Sequence, residues 1–217
     1  MGLKAFALHF VVITVFSAMA LPASAQQPRP LALVGFGDSL MAGYQLPPNE
    51  SYTAQLEAAL KAKGTEVSIA NAGVSGDTTS GALARVDWSV PDGTDGVIVE
   101  FGANDALRGI SPEQSEKNLD AILARLKERG IKVILAGMLA PPNMGGDYAE
   151  KFNPIYKKLA EKHGVPLYPF FLDGVAAQQS LQLADGMHPN AQGVGVMVER
   201  SVPVMQDFIQ SILVEKK

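Results

Sequence analysis

The sequence predicts an α/β domain, a parallel sheet covered by helices on both faces. Short apolar runs alternate with amphipathic stretches from Leu31 onward, which is the pattern of strand–helix–strand units. Polar and glycine-rich residues follow those runs, where the carboxyl ends of parallel strands would put a site. A chain of 217 residues with 47% apolar content has enough material for one buried core.

Five runs read as strands: Leu31–Gly35, Glu66–Ala70, Gly96–Phe101, Lys132–Gly137 and Val165–Tyr168. Helices are expected between them. Tyr52–Lys63 is one. Gln114–Arg129 has the plainest pattern, with Leu119, Ile122, Leu123 and Leu126 on one face and Gly130 as the C-terminal stop. A third lies within Asp147–Lys162, where Pro154 either kinks it or starts it with Asn153 as cap. The last runs from about Asn190 to Leu213 with a bend expected at Pro203.

The first 25 residues are of another kind. Lys4 precedes an almost continuously apolar stretch, Ala5 to Ala20, and Ala23-Ser24-Ala25 supplies small residues at a cleavage position. These features predict a signal peptide over residues 1–25, cut after Ala25, and a mature domain of 26–217 in the periplasm or outside the cell. The apolar stretch is shorter than the ~20 residues of a membrane span, so no anchor is expected after cleavage.

The net charge of −4 gives no basic footprint for nucleic acid or for an anionic membrane surface. There is no cysteine, so disulfides and a lipidated N-terminal cysteine are excluded. Metal-ligand spacing and a phosphate-binding glycine loop are likewise missing, and neither metal nor cofactor is expected.

Only three histidines occur. His9 falls in the leader, and His163, near an expected helix end, reads as a helix C-cap or a solvated residue. His188 lies in Asp185-Gly186-Met187-His188, where an acid three residues upstream reaches a ring nitrogen and leaves the other free as a base. Asp185 also suits a plain turn. Ser39 follows a strand and a glycine, the place for a nucleophile at the sheet edge and equally for an N-cap serine. Asp38 reads as a hydrogen-bonding residue that shapes this turn. Gly73 and Asn104 offer a backbone N–H and a side-chain amide for an oxyanion, or else turn geometry and an Asx turn.

In order, the chain carries G-D-S-L at Gly37–Leu40, Gly73 in N-A-G-V-S-G-D, G-x-N-D at Gly102–Asp105, and D-x-x-H at Asp185–His188. This succession resembles the SGNH/GDSL hydrolase superfamily. It is most similar to a bacterial thioesterase, lysophospholipase and arylesterase branch, through G-D-S-L-M-A-G-Y at Gly37–Tyr44, S-G-D-T-T at Ser75–Thr79, N-D-A-L-R-G at Asn104–Gly109 and P-L-Y-P-F-F at Pro166–Phe171. Ala103 departs from the second glycine common in that branch.

The resemblance implies a flavodoxin-like three-layer α/β/α sandwich with about five parallel strands, and a cofactor-free serine hydrolase. Ser39, Asp185 and His188 would be catalytic, with an oxyanion hole from Ser39, Gly73 and Asn104. The expected substrate is a small-molecule aryl ester or lysophospholipid, or an acyl thioester. The mildly apolar Leu107, Ile110, Leu139 and Met144 favour an acyl chain over a sugar. An O-acetyl esterase of cell-wall polymers is the alternative, and a non-catalytic envelope binding module belongs to another class. A monomer is expected.

Overall fold

The structure is a computed structural model that describes Met1 and residues 29–215. The expected signal peptide and its cleavage position lie outside the described residues. Five parallel strands form one sheet in the order β2-β1-β3-β4-β5. In chain order the elements are β1 (Leu31–Gly37), α1 (Ser39–Ala42), α2 (Tyr52–Ala62), β2 (Val67–Asn71), α3 (Thr79–Ser89), β3 (Gly96–Glu100), α4 (Ala103–Leu107), α5 (Pro112–Glu128), β4 (Lys132–Ala136), α6 (Gly146–Phe152), α7 (Ile155–His163), β5 (Leu167–Tyr168) and α8 (Ala191–Glu215).

The chain moves from β1 outward to β2, then back across β1 to β3 and on to β5. Right-handed crossovers running in opposite directions put their helices on opposite faces. Accordingly α2 packs with α8 in one layer, whereas α3, α5 and α7 pack in the other. Covered on both sides, β3 is buried at every position, which is why the central strands are runs rather than alternations. The reversal of direction falls between β1 and β3, the place where folds of this kind put their sites.

Local chemistry sets the helix ends. Ser111 accepts the Gln114 N–H at 3.2 Å, and Pro112, which needs no hydrogen-bond acceptor, opens α5. Leu119, Ile122, Leu123 and Leu126 are all fully buried, as their spacing predicts. The single helix expected over Asp147–Lys162 is two helices, α6 and α7, separated at Asn153-Pro154. Pro154, without an N–H, occupies the cap position of α7. Asn153 is therefore not the cap, and its Oδ1 accepts the Ala140 N–H at 2.8 Å in the loop after β4. The last helix is one element that passes through Pro203. β5 starts at Leu167 rather than Val165, because the Val165 N–H closes α7 on the Ala160 carbonyl and Pro166 has none to give.

One buried cation ties the strand ends together. Arg85 of α3 pairs with Asp77 at 2.7 Å and donates to the Ala72 and Gly37 carbonyls, each at 2.9 Å. Its guanidinium lies 4.5 Å from the centroid of the Phe36 ring. Both side chains of the pair are nearly out of solvent, so removing one leaves the other uncompensated. Arg85→Met keeps the apolar stem and removes the charge; urea denaturation should show a loss of about 3–5 kcal/mol.

Candidate active site

The strand-to-helix turn after β1 presents Ser39. Asp38 caps α1: its Oδ1 accepts the Leu40 N–H at 3.0 Å, as its reading as a turn-shaping residue predicts. α1 is only four residues long and ends at Gly43, whose φ of 77° is left-handed. Ser39 is thereby held at the carboxyl edge of the sheet with its hydroxyl directed to the loop that carries His188.

That loop is built separately. An isolated antiparallel bridge joins Gln182 to Pro189, and the Leu183 N–H meets the His188 carbonyl at 2.7 Å. Asp185 Oδ1 accepts the N–H groups of Met187 and His188, at 2.9 and 3.0 Å, and Oδ2 lies 2.7 Å from His188 Nδ1. The backbone N–H groups of His188 and Met187, with the imidazole, hold the Asp185 carboxyl down to about 2. A carboxylate in that state only accepts, so Nδ1 carries the ring hydrogen and Nε2 offers its lone pair. Nε2 stands 2.9 Å from Ser39 Oγ. The serine donates and the imidazole accepts.

Above the imidazole lies Tyr44, with ring centroids 4.4 Å apart. The sequence singled out Tyr44 only within a longer motif, yet it packs the ring that Asp185 aligns.

Asn104, in α4 after β3, donates through Nδ2 to Asp38 Oδ2 at 3.0 Å. This bond joins the β1 and β3 loops. It uses one of the two amide hydrogens, so the second is able to reach another acceptor. Gly73 approaches from the loop after β2; a side chain there would meet the Ala42 backbone N at 2.3 Å, so glycine is required for contact with α1. The Gly73 N–H donates to Asn71 Oδ1 at 2.9 Å, and Asn71 Nδ2 reaches the Ala42 carbonyl. A further acceptor at this N–H would share it with Asn71 or displace Asn71.

Behind these groups lie supports that sequence reasoning left without a role. Asp105, fully buried, accepts from the Thr79 N–H and hydroxyl and from Ser115 Oγ, fastening α4 to α3 and α5. Glu100, the only acid in the β3 run, is fully buried and accepts the Asp38 N–H at 3.3 Å. An acid inside an apolar strand was the signal for it. Burial pushes the Asp38 carboxyl up to about 6, against the pull of the Leu40 N–H, the Asn104 amide and His188.

His163 is not at this site. It ends α7 with its ring mostly buried and Nε2 2.6 Å from Asp120, which also pairs with Lys162. It is thus a hydrogen-bond partner between α7 and α5 rather than a solvated residue. It borders a cavity of about 630 Å³ at the opposite end of the sheet, beside the starts of β4 and β5. Among the described residues there is no group of histidines and acids able to hold a metal.

Residues 36–196 match the GDSL-like Lipase/Acylhydrolase family. The chain belongs to this family. An arylesterase from Vibrio mimicus is 40% identical over 161 residues, covering 74% of this chain and 80% of that protein. A thioesterase 1/protease 1/lysophospholipase L1 from Escherichia coli is 36% identical, covering 83% of this chain and 82% of its own. The crystal structure of AlinE4, a SGNH-hydrolase family esterase, aligns with a TM-score of 0.71 at 44% identity, over 84% of this chain and 98% of that one.

The GDSL glycine itself has a steric cause. A Cβ on Gly37 would lie 2.6 Å from Glu100 Oε2, 2.6 Å from Met41 Cβ and 2.9 Å from the Glu100 carbonyl. Gly37→Ala should therefore cost roughly 2 kcal/mol or more by overpacking, read as a lower denaturation midpoint with an unchanged slope.

Proposed function

We propose that this protein is a serine esterase that cleaves carboxylic esters through an acyl-enzyme on Ser39. The observation that carries the reading is the continuous line from Asp185 Oδ2 through the His188 ring to Ser39 Oγ, with its two links of 2.7 and 2.9 Å. His188 Nε2 takes the hydroxyl proton as Ser39 Oγ attacks the acyl carbonyl, and Asp185 balances the imidazolium. The Ser39 and Gly73 N–H groups and the free hydrogen of the Asn104 amide receive the oxyanion. Collapse of the tetrahedral species expels the leaving alcohol, which takes the proton from His188. Water then attacks the acyl-enzyme by the same route and frees the acid.

The rim favours an acyl chain. Tyr44, Val74, Leu107, Leu139 and Met187 are large apolar residues exposed on the loops at this edge of the sheet or beside His188. Of the residues expected to line it, Leu107 and Leu139 are open, whereas Ile110 and Met144 are half-buried. Aryl esters and lysophospholipids suit such a rim, and the names of the Vibrio mimicus and Escherichia coli relatives support both, and a thioester as well. Export of residues 26–217 after cleavage of a signal peptide, and a monomeric mature form, complete the proposal. Among the described residues no helix is long and apolar enough to cross a membrane.

Ser39→Ala should lower kcat on p-nitrophenyl esters by at least ~1000-fold. Retention of activity by that variant would remove the assignment. Across the wild-type series from acetate to octanoate, kcat/KM should rise about twofold per methylene, half the gain of a fully buried chain, because the rim is half open. An optimum at acetate would replace this reading with the O-acetyl esterase.

A further inference from the structure

Glu100 ends β3 fully buried, and no step of acyl transfer uses it. It stands between two small residues on the flanking strands, Gly37 and Ala136, and its carboxyl fills the space that a Gly37 side chain would take. Oε2 accepts the Asp38 N–H, while Oε1 is buried with no hydrogen-bond partner among the described residues. The titratable groups that face it are Asp38 from the turn after β1, the Tyr52 phenol from α2 and the Tyr156 phenol from α7. All of these are acids. Arg85, on α3, is committed to Asp77 and to main-chain carbonyls, and His188 acts on Asp38.

Two carboxyls thus share one buried site with no basic hydrogen-bond partner among the described residues. Only one of them is able to hold the charge there at low cost. Asp38 accepts from the Leu40 N–H and from the Asn104 amide, both at 3.0 Å; Glu100 accepts one longer bond. The charge belongs on Asp38.

We propose that Glu100 is a positioning residue, carried as the neutral acid beneath the nucleophile turn, that holds Asp38 in place and through it aims the Asn104 amide at the oxyanion. Burial and the neighbouring Asp38 charge push the Glu100 carboxyl well above the ordinary glutamate range, in keeping with that placement. The kinetic half of the assignment rests on the Ser39 ester-hydrolase reading; the protonation half stands on its own.

The test uses residues 26–217 with Glu100→Gln and Glu100→Leu. Glutamine keeps shape and neutrality without a proton to lose. For a carboxyl raised in the folded state, stability is complete below the unfolded value and drains away as pH rises toward the folded one. The melting temperature of Glu100→Gln minus that of wild type should therefore widen, by roughly 3 °C or more between about pH 5 and about pH 9. A difference that stays constant with pH overturns the neutral acid.

On p-nitrophenyl butyrate, Glu100→Leu should lose about tenfold in kcat with KM within about twofold, because the oxyanion forms only in the transition state. Glu100→Gln should recover most of that loss at neutral pH. Equal kcat for Leu and Gln overturns the positioning role. If Glu100→Leu fails to fold, a Glu100→Gln kcat as low as that of Asn104→Ala overturns it instead. Were Ser39→Ala to keep its activity, the positioning half would fall with the hydrolase reading, and the melting series would still decide the proton.

Discussion

The hydrogen bond from Asn104 to Asp38 holds the site together. It joins the loops after β1 and β3 at the point where the connections of the sheet run apart, just beyond Gly37 and Glu100, the last paired residues of the two strands. Asp38 is fully buried, and each of its oxygens has a donor. A hydrogen bond to a charged acceptor contributes about 1.5–3 kcal/mol, but only where the geometry is kept. Asp38 therefore shapes the turn that presents Ser39 and orients the Asn104 amide. In the proposed reaction the nucleophile and one oxyanion donor move together or not at all.

The two halves of the proposed triad are anchored differently. Ser39 belongs to the sheet edge, fixed by Asp38, by the Gly73 contact with α1, and by Arg85 through the Gly37 carbonyl. Asp185 and His188 belong to a loop whose internal hydrogen bonds are local, so their mutual geometry survives without the sheet. The distance between Nε2 and Oγ is then a matter of docking. α8 follows that loop and packs on α2, with Tyr52 bonded to Ser201 at 2.8 Å and Gln55 donating to the Ala191 carbonyl at 3.1 Å. Tyr44 closes the same joint from the nucleophile side, its ring tilted against the imidazole. A separation of 2.9 Å across 149 residues of sequence is thus set by contacts outside the loop, among them the α2–α8 pair, the Tyr44 ring and Phe171, whose ring meets Tyr52.

Legibility followed the range of the interaction. The strands and α5 could be read because runs and helical spacing report burial directly. Asp185 and His188 could be read because three residues of separation already place acid and base within reach. The break of α6 from α7 was half legible: Pro154 announced it, but the use of Asn153 by Ala140 depends on a loop thirteen residues upstream. The helix-end reading of His163 held, but its burial was missed for the same reason. Its partner Asp120 lies on another helix, and no local pattern reveals a hydrogen bond between helices. The engagement of Gly73 by Asn71 was within two residues, yet an Asx bond is one of several conformations such a loop allows.

Glu100 shows what an exception to the burial pattern is worth. β3 needs apolar side chains on both faces, and an acid at its last position contradicts that need unless something nearby uses it. The same residue explains the glycine paired with it on the neighbouring strand: Gly37 is small because the Glu100 carboxyl takes its place. Charge arithmetic then limits what the acid does. Proposed acyl transfer creates an anion beside Ser39 and a cation on His188. Asp185 already answers the cation from the far side of the ring, and Asp38 lies within its influence. A further negative charge beneath the turn would oppose the oxyanion and repel Asp38, the group that aims Asn104. A neutral carboxyl does neither. It supplies an acceptor for the Asp38 N–H, fills the cleft beside Gly37 and leaves a single anion at the crossing of the two loops.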